Sequence, residues 1–553
     1  MGGQQAVIPS KRALDEADAG VGKDPRGIVI KSLSVPVSPP WKRRRNGEEA
    51  HDSTSTDAGV RFRSPFQLTA IRDLPAEDNV DTVTVDEIFG SPLVAECWEF
   101  NYLHDIGFFM DALNEDVRHL VHVHVVHGFW KREDQRRLEL EAEAARYANV
   151  QLHTAFMPEP FGTHHSKMAV LFRHDDTAQV VIYTANMIPH DWANMTQGVW
   201  RSPLLPLLAD DVDGEDESEI DGPVGSGRRF KTDLLSYLRA YNQRRSICRP
   251  LVERLARYDF AAVQAALIAS VPGRHSLIRQ PDEKYHTQWG WTALKNTLRS
   301  VPVQAVAPST EIVLQVSSMA TLGPTDAWIR HTLFSAMATA SSAVDKGGSI
   351  GKEELQQPRF RAVFPTADEI RRSLEGYKSG TSIHTKIQSS QQQRQLQYMR
   401  PLLCHWANDS PDGAKLPDGA TPIVNGRKRA APHIKTYVRY GQVGVDWALL
   451  TSANLSKQAW GEAVTAAGEV RVASWEIGVM VWPGLFAETA VMQIVGGSDS
   501  VLQPATGKAA GRPVVALRVP YDLPLQQYGK GEIPWVCTLP DEEPDWTGQA
   551  WSG

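Results

Sequence analysis

The sequence predicts an α/β fold in which two similar domains, each a mixed β-sheet flanked by helices, are related by a pseudo-twofold axis and share one active site. Three observations carry this prediction. The pattern H-x-K recurs with Asn nineteen residues beyond the Lys, as His165-Ser166-Lys167 with Asn186 and as His433-Ile434-Lys435 with Asn454. Both copies have one layout: an apolar stretch after the Lys (Met168 to Phe172; Tyr437 and Val438), a turn, and a second apolar run (Val180 to Ile182; Trp447 to Leu450). Each second run ends in a small-residue tip, Thr184-Ala185-Asn186 or Ser452-Ala453-Asn454, so each copy reads as two strands with polar residues at their ends. The copies stand about 270 residues apart in a chain of 553, a length that suits about two to three domains. Each domain then supplies half of one site.

Residues 1 to 60 are poor in aromatics and rich in Gly, Ser, Pro and charge, which predicts a disordered tail. Within it, Lys42-Arg43-Arg44-Arg45 resembles a nuclear localisation signal, or a nonspecific polyanion-binding segment. Order is expected to begin around Phe62 to Phe66, and residues 61–300 form the first domain. There Val121 to Val126 reads as a core strand, and Arg132 to Tyr147, Leu234 to Tyr241 and Phe260 to Ala269 as helices. His119, His122, His124 and His127 crowd the strand. Alternation puts only His122 and His124 on one face, and no carboxylate or Cys completes a ligand set, so they read as ordinary strand histidines. The second domain, residues 301–553, opens with the strand Ile312 to Val316. Ser341 to Gln357 and Ser389 to Gln393 read as insertions, and the Pro- and Trp-punctuated tail as a packed, irregular segment.

Composition excludes several classes. No apolar stretch reaches the roughly 18 residues of a membrane span, and Met1 to Asp18 lacks the apolar core of a signal peptide. The four cysteines, Cys97, Cys248, Cys404 and Cys537, form no C-x-x-C pair, which argues against a disulfide framework or zinc ribbon and for a reducing intracellular compartment. Between Asp210 and Asp221 lie eight acidic residues and no basic ones, enough to account for the net charge of −7. This run reads as a solvated insertion loop. The rest of the chain is near neutral, so the charge does not exclude nucleic acid.

Two H-x-K halves suit displacement at phosphorus. One His attacks a phosphodiester to give a phosphohistidine, while the other protonates the departing oxygen and later activates water. Lys167, Lys435, Asn186 and Asn454 would surround the non-bridging oxygens, where charge builds. No metal and no cofactor is required, since Lys takes the place of a cation. H-x-K alone has little weight: His384-Thr385-Lys386 is a third copy, followed at the same spacing by His405 and not Asn, within a polar Gln- and Ser-rich stretch. It reads as a decoy.

The longer strings are more specific. Phe161-Gly162-Thr163-His164-His165-Ser166-Lys167-Met168, Asp191-Trp192 with Thr196-Gln197-Gly198, Pro432-His433-Ile434-Lys435-Thr436-Tyr437, and Thr451-Ser452-Ala453-Asn454-Leu455-Ser456-Lys457 with Ala459-Trp460-Gly461 resemble the tyrosyl-DNA phosphodiesterases that act on DNA 3′ ends, within the phospholipase D superfamily. Asn101-Tyr102, Ser317-Ser318-Met319, Trp475-Glu476-Ile477-Gly478-Val479 and Pro520-Tyr521-Asp522-Leu523-Pro524 extend the resemblance from about residue 62 to the end. General superfamily members carry Asp five residues after the Lys. Here Phe172 and Tyr440 stand there, and the tyrosyl-DNA phosphodiesterase branch likewise lacks this Asp.

The resemblance implies two phospholipase D-like domains and a set of roles. His165 is the nucleophile, backed by Glu476. His433 is the general acid and base, backed by Gln197. Tyr102 and Phe161 help line a DNA groove, and Ser317 and Ser318 contact backbone phosphate. The implied partner is a DNA 3′ end, single-stranded or frayed, bearing a tyrosyl or topoisomerase I-derived peptide adduct. It further implies double-strand break repair, an exonuclease-like action on 3′ ends, a nuclear location and a monomer without membrane attachment. A superfamily nuclease and a non-catalytic DNA-end binder are the alternatives. The missing Asp residues speak against a phospholipase, and two complete H-K-N sets against a decayed enzyme.

Overall fold

A computed structural model describes residues 60–209, 222–278, 287–340, 357–416, 422–497 and 511–553. The N-terminal tail with its basic cluster, the acidic run at 210–221 and nearly all of the low-complexity stretch at 341–357 lie outside the described residues.

Two sheets share one strand pattern. In the first, Val94–Phe100, His122–His127 and Val150–Thr154 run parallel, and Met168–Arg173 joins the free side of Val94–Phe100 antiparallel. Thr177–Tyr183 and Gly198–Arg201 follow, each antiparallel to its neighbour. In the second, Glu311–Gln315, Arg359–Val363 and Leu403–Cys404 are the parallel set. Thr436–Tyr440, Val445–Thr451 and Glu476–Val481 then follow antiparallel in the same order. The repeat in sequence is therefore a repeat of whole sheets, with each H-x-K just ahead of the first antiparallel strand.

The hairpin strands are continuous apolar runs because both faces are covered. Met168, Val170 and Phe172 point into the large core shared with the second half. Ala169 and Leu171 point oppositely, under Ile106, Phe109 and Met110 of the helix Ile106–Ala112 and Leu140 of the helix Gln135–Ala144. Val180 and Ile182 against Val181 and Tyr183 repeat the alternation. These two helices connect the parallel strands, as parallel pairing requires.

Several sequence expectations need correction. Phe260 to Ala269 is not a helix: Ala266–Ser270 is a strand, antiparallel to Glu476–Val481 from Ala266 opposite Met480 to Ser270 opposite Glu476. It is buried throughout, and a short run without alternation cannot be told from a buried helix by periodicity. It also joins the second sheet although it precedes residue 300, as does Arg61–Phe62 through its pairing with Val514–Leu517. Ser389 to Gln393 is not a structureless insertion. Ser389 and Gln392 form a capping box that starts the helix Ser390–Met399. Leu234 to Tyr241 is the end of a longer helix, Gly227–Ala240. His124 stacks on Trp98 with ring centres 4.0 Å apart, and its Nδ1 lies 3.1 Å from His153 Nε2. His122 is exposed. The tail beyond Leu517 is irregular yet packed, with Tyr521 and Trp535 fully buried and the Trp535 indole donating to Gly380 O at 3.0 Å.

Candidate active site

An extended chain places alternate side chains on one face, so in each H-x-K the His and the Lys point together. The residue after each hairpin's second strand begins the tip that carries the Asn. What brings the halves together is a pair of equivalent backbone clasps. His165 N donates to Trp475 O at 3.0 Å, and Trp475 N to Thr163 O at 2.9 Å. Correspondingly, His433 N donates to Thr196 O and Thr196 N to Ala431 O, both at 3.0 Å. Each histidine is thus pinned by the residue just before the other half's Glu476 or Gln197.

The side chains are exchanged in the same way. Nδ1 of His165 lies 2.9 Å from Glu476 Oε2, and the Ser452 hydroxyl, at the opposite half's tip, donates to that oxygen at 2.5 Å. Nδ1 of His433 lies 3.2 Å from Gln197 Oε1, which also accepts from the Thr184 hydroxyl at 2.8 Å. Gln197 Nε2 donates to Asp191 O at 3.3 Å and also lies 3.1 Å from the same ring nitrogen, so the amide presents both of its atoms to His433. The Glu476 carboxylate can only accept, so it holds the His165 proton on Nδ1 and leaves Nε2 for the cleft; His433 likewise turns Nδ1 to its partners.

A cavity of about 360 Å³ opens between the halves, and Tyr102, Phe161, His165, Asn186, Ser317, Ser318, His433, Asn454 and Glu476 line it. Lys167, Lys435 and Gln197 are buried immediately behind. All the candidate residues therefore come together, though not all in the expected manner. Ser317 is buried, and its hydroxyl and amide donate to Asn454 Oδ1 at 3.3 and 3.1 Å, with Ser318 N adding a third bond at 2.9 Å. That saturates the Asn454 carbonyl and leaves its amide hydrogens for the cleft. Phe161 stands 81% exposed at the rim. Tyr102 sits with its ring centre 5.8 Å from that of His165.

Burial sets the electrostatics. It holds Lys167 down at about 8 and Lys435 well below the usual lysine range, with Lys167 adding to the latter effect. It also lowers His433, helped by the Lys435 and Lys167 charges, and lowers His165, against the opposing pull of Glu476. Cationic groups crowded into one buried site lower one another's proton affinity, and an anion raises it.

Sequence reasoning missed two contributors. Asp191 Oδ2 accepts from Asn186 N at 2.6 Å and Nδ2 at 3.0 Å, and lies 3.3 Å from His433 Nδ1. Its only local signal is an Asp-Trp pair just after the tip. The second is His384, read as a decoy. It has no hairpin and no tip Asn, as expected, but it lines the same cleft. Its backbone pairs with Ser317 and Met319 through His384 N to Ser317 O and Met319 N to His384 O, both 2.9 Å. That contact closes a long loop, which spacing cannot reveal.

Two imidazoles facing one cavity, each backed by a fixed acceptor and flanked by a buried Lys and an Asn, define a phosphodiester hydrolase of the phospholipase D type. The model of the Tyrosyl-DNA phosphodiesterase family matches residues 65–529, and the chain belongs to that family. Among its relatives, a probable tyrosyl-DNA phosphodiesterase of Schizosaccharomyces pombe is 28% identical over 93% of this chain and 98% of its own. Tyrosyl-DNA phosphodiesterase 1 of Arabidopsis thaliana is 27% identical over 88% of this chain and 76% of its own. The crystal structure of the yeast tyrosyl-DNA phosphodiesterase shares the fold, with a TM-score of 0.58 at 18% identity, covering 85% of this chain and 98% of that one.

Proposed function

We propose that the protein hydrolyses the bond between a DNA 3′-phosphate and tyrosine through a covalent phosphohistidine, a reading supported by relatives named tyrosyl-DNA phosphodiesterases. The observation that carries the mechanism is the unequal backing of two histidines: a carboxylate alone at 2.9 Å behind His165, and behind His433 an amide first, with the Asp191 carboxylate at 3.3 Å. Nε2 of His165 attacks phosphorus, and the phosphorus–oxygen bond to the tyrosine breaks as His433 gives its proton to the departing phenolate. Glu476 balances the positive charge gained by His165. Water then yields a proton to His433 and attacks phosphorus, the nitrogen–phosphorus bond breaks, and a 3′-phosphate is left.

The free-state protonation favours this order. His165 is lowered by burial and so is neutral and nucleophilic at neutral pH. The phosphodiester anion raises His433 and both lysines on arrival, which arms the acid only when substrate is present. Lys167, Lys435, Asn186 and Asn454 hold the non-bridging oxygens. Phe161 and Tyr102 line the DNA side, and Ser317 and Ser318 act on phosphate chiefly by fixing Asn454. The residues already supply the charge a metal would bring. The leaving group is a peptide degraded from a topoisomerase I adduct, the DNA is single-stranded or frayed, and the protein acts as a monomer in the nucleus. No helix among the described residues is long and apolar enough to cross a membrane.

The test is an oligonucleotide with a 3′-phosphotyrosine incubated with the protein in excess EDTA. Conversion to the 3′-phosphate, lost in His165→Ala, is expected. Internal cleavage only when metal is restored would replace this reading with a nuclease, and tight binding without cleavage would make the protein an end-binder. Nuclear delivery is tested separately: deleting residues 1–60 is expected to weaken nuclear accumulation and leave cleavage intact.

A further inference from the structure

Beside the cleft, on the first half, lies a second cavity of about 530 Å³ walled by Trp130, Arg132, Arg137, Phe156, Arg244 and Arg245. Its composition is unusual for a surface hollow. Trp130 is 53% exposed, with Lys131 Nζ 5.5 Å from its ring centre. The Arg244 guanidinium lies 4.3 Å over the Phe156 ring. Arg137 is paired with Glu141 at 2.7 Å. Arg132, Arg244 and Arg245 have no carboxylate partner among the described residues, and unpaired guanidinia around an exposed indole suit a chain of phosphates and flat rings.

One loop walls both this cavity and the active cleft. The loop that leaves the strand Val150–Thr154 lines the cavity from Thr154 to Pro158 and the cleft at Phe161 and Thr163. Phe156 O accepts from the Trp475 indole at 3.1 Å, next to Glu476. On the other wall, Arg136 donates to the Tyr102 hydroxyl at 3.2 Å, joining the helix that starts at Gln135 to a residue of the cleft. The position also selects the occupant. In an in-line displacement the leaving group departs opposite the nucleophile. The peptide therefore exits past His433, whereas this cavity lies on the His165 side.

We propose that the cavity is a second single-stranded DNA subsite, where a nucleotide on the 5′ side of the scissile one stacks on Trp130 while Arg132, Arg244 and Arg245 hold the neighbouring phosphates. The inference rests on the reading of the cleft as a DNA 3′-end site, and its test is separable from turnover. Binding of the full-length protein to a fluorescent, adduct-free oligothymidylate of about 14 nucleotides is followed by anisotropy as salt is varied, alongside a dinucleotide too short to reach the cavity. Trp130→Ala is expected to weaken the long ligand about ten-fold or more, in line with the loss of one base stack. The combined Arg132→Ala, Arg244→Ala and Arg245→Ala variant is expected to reduce the slope of log affinity against log salt by about 2, three contacts at about 0.7 each. Both variants should cleave a dinucleotide 3′-phosphotyrosine like the wild type. Unchanged affinity for the long ligand, or equal losses for long and short ligands, overturns the subsite. So would a loss confined to DNA carrying a 3′-peptide, which would make the cavity a peptide site. Trp130-dependent binding by a protein that cleaves nothing would keep the subsite and discard the phosphodiesterase reading.

Discussion

The two halves of the active site are alike in backbone and unlike in charge. Both present H-x-K ahead of an antiparallel strand, both carry Asn on a tip, and both have a tip hydroxyl that holds the partner of the other half's histidine. They differ in what backs the ring: the Glu476 carboxylate at 2.9 Å behind His165, and the Gln197 amide behind His433, with the Asp191 carboxylate 3.3 Å away. A carboxylate steadies a ring that becomes permanently cationic once it bonds to phosphorus. An amide steadies a ring without fixing its charge, which suits a group that must give up a proton and take one back. A symmetrical frame thus does unsymmetrical chemistry by backing its two rings differently.

The comparison breaks most sharply by removing each histidine. His165→Ala is expected to lose turnover by on the order of 10⁴-fold or more, with no covalent adduct. His433→Ala should lose about 10²–10⁴-fold overall, yet with an activated leaving group it should still form the adduct and accumulate it. A denaturing gel separates the two. Failure of the His433 variant to trap protein on DNA while turning over slowly would reassign the roles.

Exchanging the partners sharpens the comparison further. Glu476 pulls the His165 pKa upward against burial, so Glu476→Gln should move the acid limb of kcat/KM to lower pH while lowering the rate by about 10²-fold, since the cationic ring loses its counter-charge. Gln197→Glu should raise the His433 pKa and slow the second step, in which His433 must act as a base. Identical shifts in the two variants would mean that the halves are interchangeable.

The smallest expected effect contrasts the halves in stability. In the first half His127 and His164 are buried, and burial lowers both to about 3. A depressed folded-state pKa means that the unfolded chain binds more protons between about 3 and the ordinary histidine value of about 6.5. Their neutral burial is therefore without penalty above pH 6.5, and stability is lost as pH falls, by about 1.4 kcal/mol per pH unit for each. In the second half, burial works against charging His405, but Glu369 and Glu532, each 3.0 Å away, outweigh it and raise its pKa. That contribution is fully present below about 6.5 and is lost as pH rises through the raised value. Urea unfolding of wild type and His127→Gln from pH 7 to 5 should show a shallower acid loss in the variant. A wild-type midpoint that stays constant over that range would refute this account.

Much of the site was legible because it is local. Hairpin, tip and the His-Lys pair fall within about twenty residues, and strand periodicity orders them without help from the rest of the chain. The partners Glu476 and Gln197 came from resemblance to a family and not from spacing, since they lie 311 and 236 residues from the rings they serve. Asp191 had a local signal whose use depends on His433. The helix expected over Phe260 to Ala269 failed for a related reason. Ala266–Ser270 is extended because it fills a place beside Glu476–Val481, and nothing within its own sequence requires that.

The order of residues suffices to show two sheets of one kind, where their hairpins turn, and which histidines, lysines and asparagines stand at the strand ends. Period-two alternation and turn chemistry act between near neighbours and can be read in order. Packing is what makes each half finish the other's histidine, sets Ser317 and Ser318 against Asn454, brings His384 to the cleft, and gathers arginines around Trp130. Those arrangements depend on contacts between distant segments, and a linear pattern does not record which distant segments the shared core will press together.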